Sequence, residues 1–153
     1  MKTRTIPLIV AAFLFSLTVC YASPMMGTWK LNEAKSKFSP GSPKSMTVIY
    51  EAAGDSVKCT IDGVDGEGKP THNEWTGKFD GKDYPVTGDP NVSTRSIKQV
   101  NDHKMEVNSK KDGKITMSGT IEIASDGKSR TVTLHGTSAE GMKRSSTAVY
   151  DKQ

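Results

Sequence analysis

Cysteine is almost missing from this chain: Cys20 and Cys59 are the only two. Cys20 falls in an N-terminal segment with the marks of a removable leader, so the mature chain would hold Cys59 alone. That excludes an internal disulfide, even in an oxidising compartment. Runs of basic residues are missing too. The formal net charge of +4 is spread over interspersed lysines and acids, and two of its cations, Lys2 and Arg4, belong to the leader, which argues against a nucleic-acid partner. Gly-x-Ser-x-Gly, a phosphate loop and a dinucleotide fingerprint are all absent, so neither a cofactor nor an enzymatic activity is expected. His72, His103 and His135 are scattered; only His72 and Glu74 share a local face, at strand spacing, and no metal site is expected. "DGEGKPTHNE" resembles a calcium loop only until Lys69 and Pro70, which occupy the places of a ligand and of the sharp-turn glycine.

Long apolar runs are also lacking, with one exception. Lys2 and Arg4 precede a mostly apolar run from Ile6 to Val19, followed by small residues ending at Ala22. This is the order of a secretory signal peptide, too short for a membrane span, and it predicts cleavage after Ala22 and a mature domain over 23–153. Val19 stands where lipoprotein processing wants Gly, Ala or Ser before a lipidated cysteine, so a lipid anchor on Cys20 is not expected. The expected location is outside the cytoplasm, periplasmic or secreted.

What remains is strand after strand. Short segments rich in Val, Ile, Thr and aromatics recur at steps of about ten residues, separated by turn residues. They predict about ten strands: 26–31, 45–53, 56–62, 71–79, 82–87, 92–100, 103–110, 114–124, 128–137 and 142–150. Asp-Gly-Lys occurs three times, at 80–82, 112–114 and 126–128, each time between two such segments. Asp-Gly supplies the positive φ that tight hairpins require, so the repeat is punctuation rather than a binding motif. No helical period of useful length follows the leader; "NEAKSKF", 32–38, is expected to form one or two turns before "SPGSP" stops it. A meander with nothing to cover its edges closes on itself, which predicts an all-β, antiparallel up-and-down barrel of about 8–10 strands.

"MGTWKLN", 26–32, places Gly27-Thr28-Trp29 at the head of the first strand. This resembles the Gly-x-Trp motif of lipocalins and their calycin relatives, which implies that Gly27 and Trp29 close the barrel floor. Through "GTWKLNEAKSKFSPG", "EWTGKFDGKDYPVTGDP" and "STAVYDKQ" the chain is also similar to short secreted bacterial proteins known as lipocalin-like, a group with a fold but no established activity. Ten strands running almost to the terminus are closer to fatty-acid-binding proteins, but only Asn32 to Lys44 stand where those proteins have a helical lid. Their carboxylate-holding Arg-x-Tyr does not transfer, because Arg144 and Tyr150 are six apart.

Strand side chains alternate between two faces, so each segment divides into two phases. The apolar phase contains Met46, Val48 and Tyr50; Val57, Cys59 and Ile61; Asn73, Trp75, Gly77 and Phe79; Ile97; Met105 and Val107; Ile115, Met117, Ile121 and Ile123; Val132 and Leu134; and Met142, Ala148 and Tyr150. These are the expected interior, with Cys59 as a small buried hydrophobe. The three arginines outside the leader, Arg95, Arg130 and Arg144, all share this phase, whereas Lys58, Lys78, Lys98, Lys104, Lys114 and Lys143 take the other.

An inward guanidinium needs a partner, and it is the better cation for a planar carboxylate or phosphate. The expected function is therefore a monomeric carrier of a small hydrophobic or amphiphilic ligand. Arg95 would meet an acidic head, and Trp75, Tyr50, Met117, Arg144 and Tyr150 would line the remainder of the site. Arg130, at a strand start, can instead simply reach solvent, and Arg144 can pack over Trp29 as a closing arginine does in lipocalins. The alternative function is a solid barrel, filled by its own side chains, that works through its loops as a structural or interaction module of the envelope.

Overall fold

The computed structural model describes residues 23–153; the leader, its cleavage point and Cys20 lie outside the described residues. Ten strands follow one another: β1 (Gly27–Phe38), β2 (Lys44–Ala53), β3 (Ser56–Val64), β4 (Pro70–Gly77), β5 (Tyr84–Thr87), β6 (Thr94–Asn101), β7 (Lys104–Lys111), β8 (Lys114–Ile123), β9 (Ser129–Thr137) and β10 (Lys143–Lys152). Each pairs antiparallel with its sequence neighbours, and β1 pairs with β10 to close the barrel. Closure removes both sheet edges, as the meander pattern requires.

The turns show why these segments form hairpins. Asp112 (φ 50°) and Gly113 (φ 80°) make a two-residue connection between Lys111 and Lys114, which are paired. Both central residues are left-handed, the geometry that matches strand twist. In the other two Asp-Gly-Lys repeats the aspartate accepts the lysine amide: Asp80 Oδ1 from Lys82 at 3.0 Å and Asp126 Oδ1 from Lys128 at 2.9 Å. The repeat is therefore turn chemistry at all three places.

The stretch 32–38 is strand, not the expected helical turns. Asn32 pairs with Val149 and Lys37 already with Thr147, so a broad bulge carries Glu33, Ala34 and Lys35 out to solvent. Ser36 holds the bulge together, its hydroxyl donating to the Asn32 carbonyl at 2.7 Å and accepting from the Val149 amide at 2.9 Å. An isolated helix of one or two turns is marginal in water, whereas β10 offers a full ladder of unpaired groups. β5 is the weakest seam. It contains Pro85, which has no amide to donate, and pairs with each neighbour through only two residues. The preceding connector helps seal it, with Gly81 donating to Ile97 and Gln99 to Phe79.

The apolar phase is largely inside: Val48, Tyr50, Cys59, Trp75, Ile97, Met105, Val107, Ile121, Ile123, Val132, Ala148 and Tyr150 are all buried. Ile115 and Met142 are not, at 61% and 54% exposed. Ser109 pairs with Met117 but Lys110 with Ile115, so the bulge at Thr116 turns Ile115 outward. Met142 sits in the turn before β10, where its carbonyl accepts from Ser138.

Candidate ligand-binding interior

One end of the barrel is closed. Trp29 is fully buried, and its indole donates to the Met25 carbonyl at 2.8 Å. Over its ring, at 4.9 Å, lies the guanidinium of Arg130, which is also 5.3 Å from the Tyr50 ring and 4.8 Å from the Tyr150 ring. Its Nη1 points at Met25 Sδ, 3.3 Å away. The closing arginine is thus Arg130, not Arg144, and Arg130 does not reach solvent: it is 3% exposed. The strand start that suggested an exposed side chain is the place where β9 pairs with Tyr150, and three aromatic faces hold the cation there.

Arg95 lies further along the interior on β6, 7% exposed. Its carbonyl accepts from the Trp75 indole at 2.8 Å, and its Nε donates to Ser109 Oγ at 3.4 Å, a long bond. Around it runs an aromatic wall. Trp75 stacks on Phe79 with centroids 6.4 Å apart and meets Tyr84 edge-on at 5.9 Å, while Phe79 meets Tyr50 edge-on at 6.3 Å.

The electrostatics of this interior are one-sided. No Asp or Glu is buried among the described residues, and their ion pairs contain no arginine. The buried acids that could ionise, the Tyr50 and Tyr150 phenols and the Cys59 thiol, are all pushed above their ordinary range by burial. The positive fields of Arg130 and, at Tyr50 and Cys59, of Arg95 oppose that shift without reversing it. At neutral pH these groups keep their protons, so the two buried guanidiniums, Arg95 and Arg130, have no counter-anion among the described residues. Aromatic faces compensate Arg130 in part; Arg95 has only the serine.

The structure thus brings Arg95, Trp75, Tyr50 and Tyr150 into one interior. Met117 and Arg144 are half-buried at the opposite rim, where, with Ile115, Gly136 and Lys143, they line a depression of about 400 Å³. A second depression, of about 500 Å³, lies between Phe38, Ser42, Lys44 and the β3–β4 turn. Neither is lined by Arg95, Trp75 or Tyr50. Phe79, Ser109 and Asn73 were missing from the sequence-derived site, although the inward phase contained Phe79 and Asn73.

Outside the barrel, His72 sits between two carboxylates, its Nδ1 2.6 Å from Asp62 Oδ1 and its Nε2 3.7 Å from Glu74, which also binds Lys58 at 2.9 Å. The hydrogen bond to Asp62 leads the causes that raise the His72 pKa. The folded state thus favours protonated His72, and this contribution is present below the unfolded pKa and lost as pH rises through the folded one. An NMR titration is expected to place the His72 midpoint above the ordinary 6.5, and Asp62→Asn to bring it down. No group of three His, Cys, Asp or Glu is placed to hold a metal among the described residues, which also contain no helix long and apolar enough to cross a membrane.

No protein-family model matches the sequence, and no curated protein matches it significantly. Solved structures do match. The protein EF1p2_mFAP2b bound to DFHBI is 12% identical, over 85% of this chain and 94% of that one, with a TM-score of 0.51. A redesigned β-barrel, mFAP1, bound to DFHBI is 14% identical over 84% and 95%, with a TM-score of 0.47. A de novo designed fluorescence-activating β-barrel is 15% identical over 85% and 94%, also at 0.47. The likeness at 0.51 is one of fold, and with the topology it defines the class: a closed, ten-strand, antiparallel up-and-down β-barrel. That architecture is consistent with the calycin-like barrels the sequence resembles.

Proposed function

We propose that this protein is an exported, non-enzymatic carrier of a small acidic amphiphile, a monomer of the bacterial lipocalin-like kind that works outside the cytoplasm once the leader is removed. The observation that carries this reading is the buried guanidinium of Arg95, which has no acidic partner among the described residues. Burying a charge unpaired is too costly for a small domain to retain without a use, and a carboxylate or phosphate is the partner its fork fits. The tail of the ligand would lie against Trp75, Phe79 and Tyr50. One relative by structure, EF1p2_mFAP2b, is solved bound to a small molecule, DFHBI.

Replacing Arg95 with methionine keeps the volume and removes the charge. It is expected to weaken binding of a long-chain carboxylic acid by about ten- to a hundredfold, the scale of a charge-assisted hydrogen bond, without lowering the melting temperature. The methyl ester of the same acid should bind both forms alike. Equal affinity of the acid for both forms would remove Arg95 from the site.

The packing of Arg130 among Trp29, Tyr50 and Tyr150 also favours a second reading, a barrel filled by its own side chains and active through its loops. Native mass spectrometry of the exported protein separates the two. A stoichiometric small molecule supports the carrier; a bare mass, together with no saturable uptake of an apolar fluorescent probe, supports the filled barrel.

A further inference from the structure

We propose that Asn73 is a second ligand-contacting residue, and that the acid held at Arg95 bears a hydroxyl group on its chain. This rests on the reading of Arg95 as the head-group site. Asn73 is 9% exposed, and its Oδ1 is buried with no hydrogen-bond partner among the described residues. It lies on β4 in the same phase as Trp75 and Gly77, all three buried, while His72, Thr76 and Lys78 between and beyond them are exposed. The amide therefore projects into the barrel.

Its surroundings offer no obvious partner. Across β3 it faces Ile61, and on the other side the Gly88 backbone packs against its Cα so closely that a side chain at Gly88 would touch it. Two residues along the same strand face, about 7 Å away, is Trp75, whose indole holds the Arg95 carbonyl. Trp75 thus links the two positions, two residues from Asn73 on β4 and hydrogen-bonded to the backbone of Arg95 on β6.

A buried polar atom left unpaired costs as much as a lost hydrogen bond or more, and native interiors keep few of them. A Val or Leu at position 73 would suit the apolar phase at no such cost. The orphaned amide is explained by a group that arrives with the ligand. A hydroxyl both donates and accepts, so it satisfies the asparagine whichever way the amide is turned. An acidic amphiphile with a hydroxyl some way along its chain therefore complements Arg95, Trp75 and Asn73 together, whereas a plain fatty acid leaves Asn73 unpaired.

The test is calorimetric titration of dodecanoic acid and of monohydroxylated dodecanoic acids, with the hydroxyl at successive chain positions, into the wild-type protein and Asn73→Leu. At least one positional isomer is expected to bind the wild type about tenfold more tightly than the parent acid. Asn73→Leu should erase that preference while binding the parent acid at least as well, and should melt no lower than the wild type. Asn73→Ala, which cannot overpack, serves as the second variant. If no isomer gains over the parent, or if the gain survives in both variants, the assignment of Asn73 is wrong and an internal water is its partner. If neither parent nor isomers bind the wild type, the carrier reading itself falls, and this inference with it.

Discussion

Replacing Trp29 with alanine is expected to cost about 3–5 kcal/mol of folding stability, the range for emptying a large buried aromatic site. Trp29 is fully buried and belongs to three interactions at once. Its indole N–H satisfies the Met25 carbonyl, its ring forms one face of the site that holds the Arg130 cation, and it pairs β1 to both β2 and β10. Losing the ring leaves a cavity beside a guanidinium whose Nε already has no partner, so the charge loses compensation as well. Urea unfolding followed through Trp75, the remaining tryptophan, measures the change. Trp29→Phe should keep most of the face under Arg130 and lose only the indole hydrogen bond and some volume, and therefore cost clearly less. Equal losses for Phe and Ala would show that the hydrogen bond to Met25, rather than the ring, is what matters.

Gly119→Ala is expected to be as damaging, through excess rather than loss. Gly119 lies in β8 opposite Leu134 of β9, and a Cβ there would run into the Thr133 carbonyl oxygen and come within 3.0 Å of Leu134 Cα. Both atoms are backbone and cannot swing aside, so the β8–β9 ladder must open. Overpacking a core usually costs about 1–3 kcal/mol, and a clash with backbone lies at or beyond the upper end. Thermal melting and amide exchange across the β8–β9 ladder test this. An alanine variant that melts like the wild type would mean the two strands separate at little cost. Gly113→Ala, in an open turn with positive φ, provides the milder comparison, since only backbone conformation is strained there.

The strand pattern was legible because it is local. Period-two alternation sorted Val48, Tyr50, Cys59, Trp75, Ile97 and Met105 to the inside correctly, and the Asp-Gly turns marked where the chain reverses. The exceptions fall where the period slips. The bulge at Thr116 sent Ile115 outward, and the one following Asn32 kept β1 extended to Phe38 where a helical turn was expected. A bulge depends on which residues of the partner strand lie opposite, information the segment itself does not contain.

The site was legible only by halves, for the same reason. Alternation placed all three arginines in the inward phase. It could not distinguish Arg130, held by three aromatic rings from β1, β2 and β10, from Arg144 at the far rim, because that depends on distance along the barrel axis and on strand stagger. It also contained no sign that Asn73 would be left without a partner.

By itself, then, the sequence determined the all-β class, a strand count of about 8–10, the chemistry of the turns and which face of most strands is buried. All of these follow from side-chain period and backbone preference within a few residues. Only the tertiary structure decided the register and bulge with which β10 closes on β1, that Arg130 sits on Trp29, and that Arg95 stands in the interior with no anion among the described residues. These depend on contacts between residues far apart in sequence, Trp29 and Lys152 among them, and closing such long loops is governed by the packing of the whole barrel rather than by any segment of it.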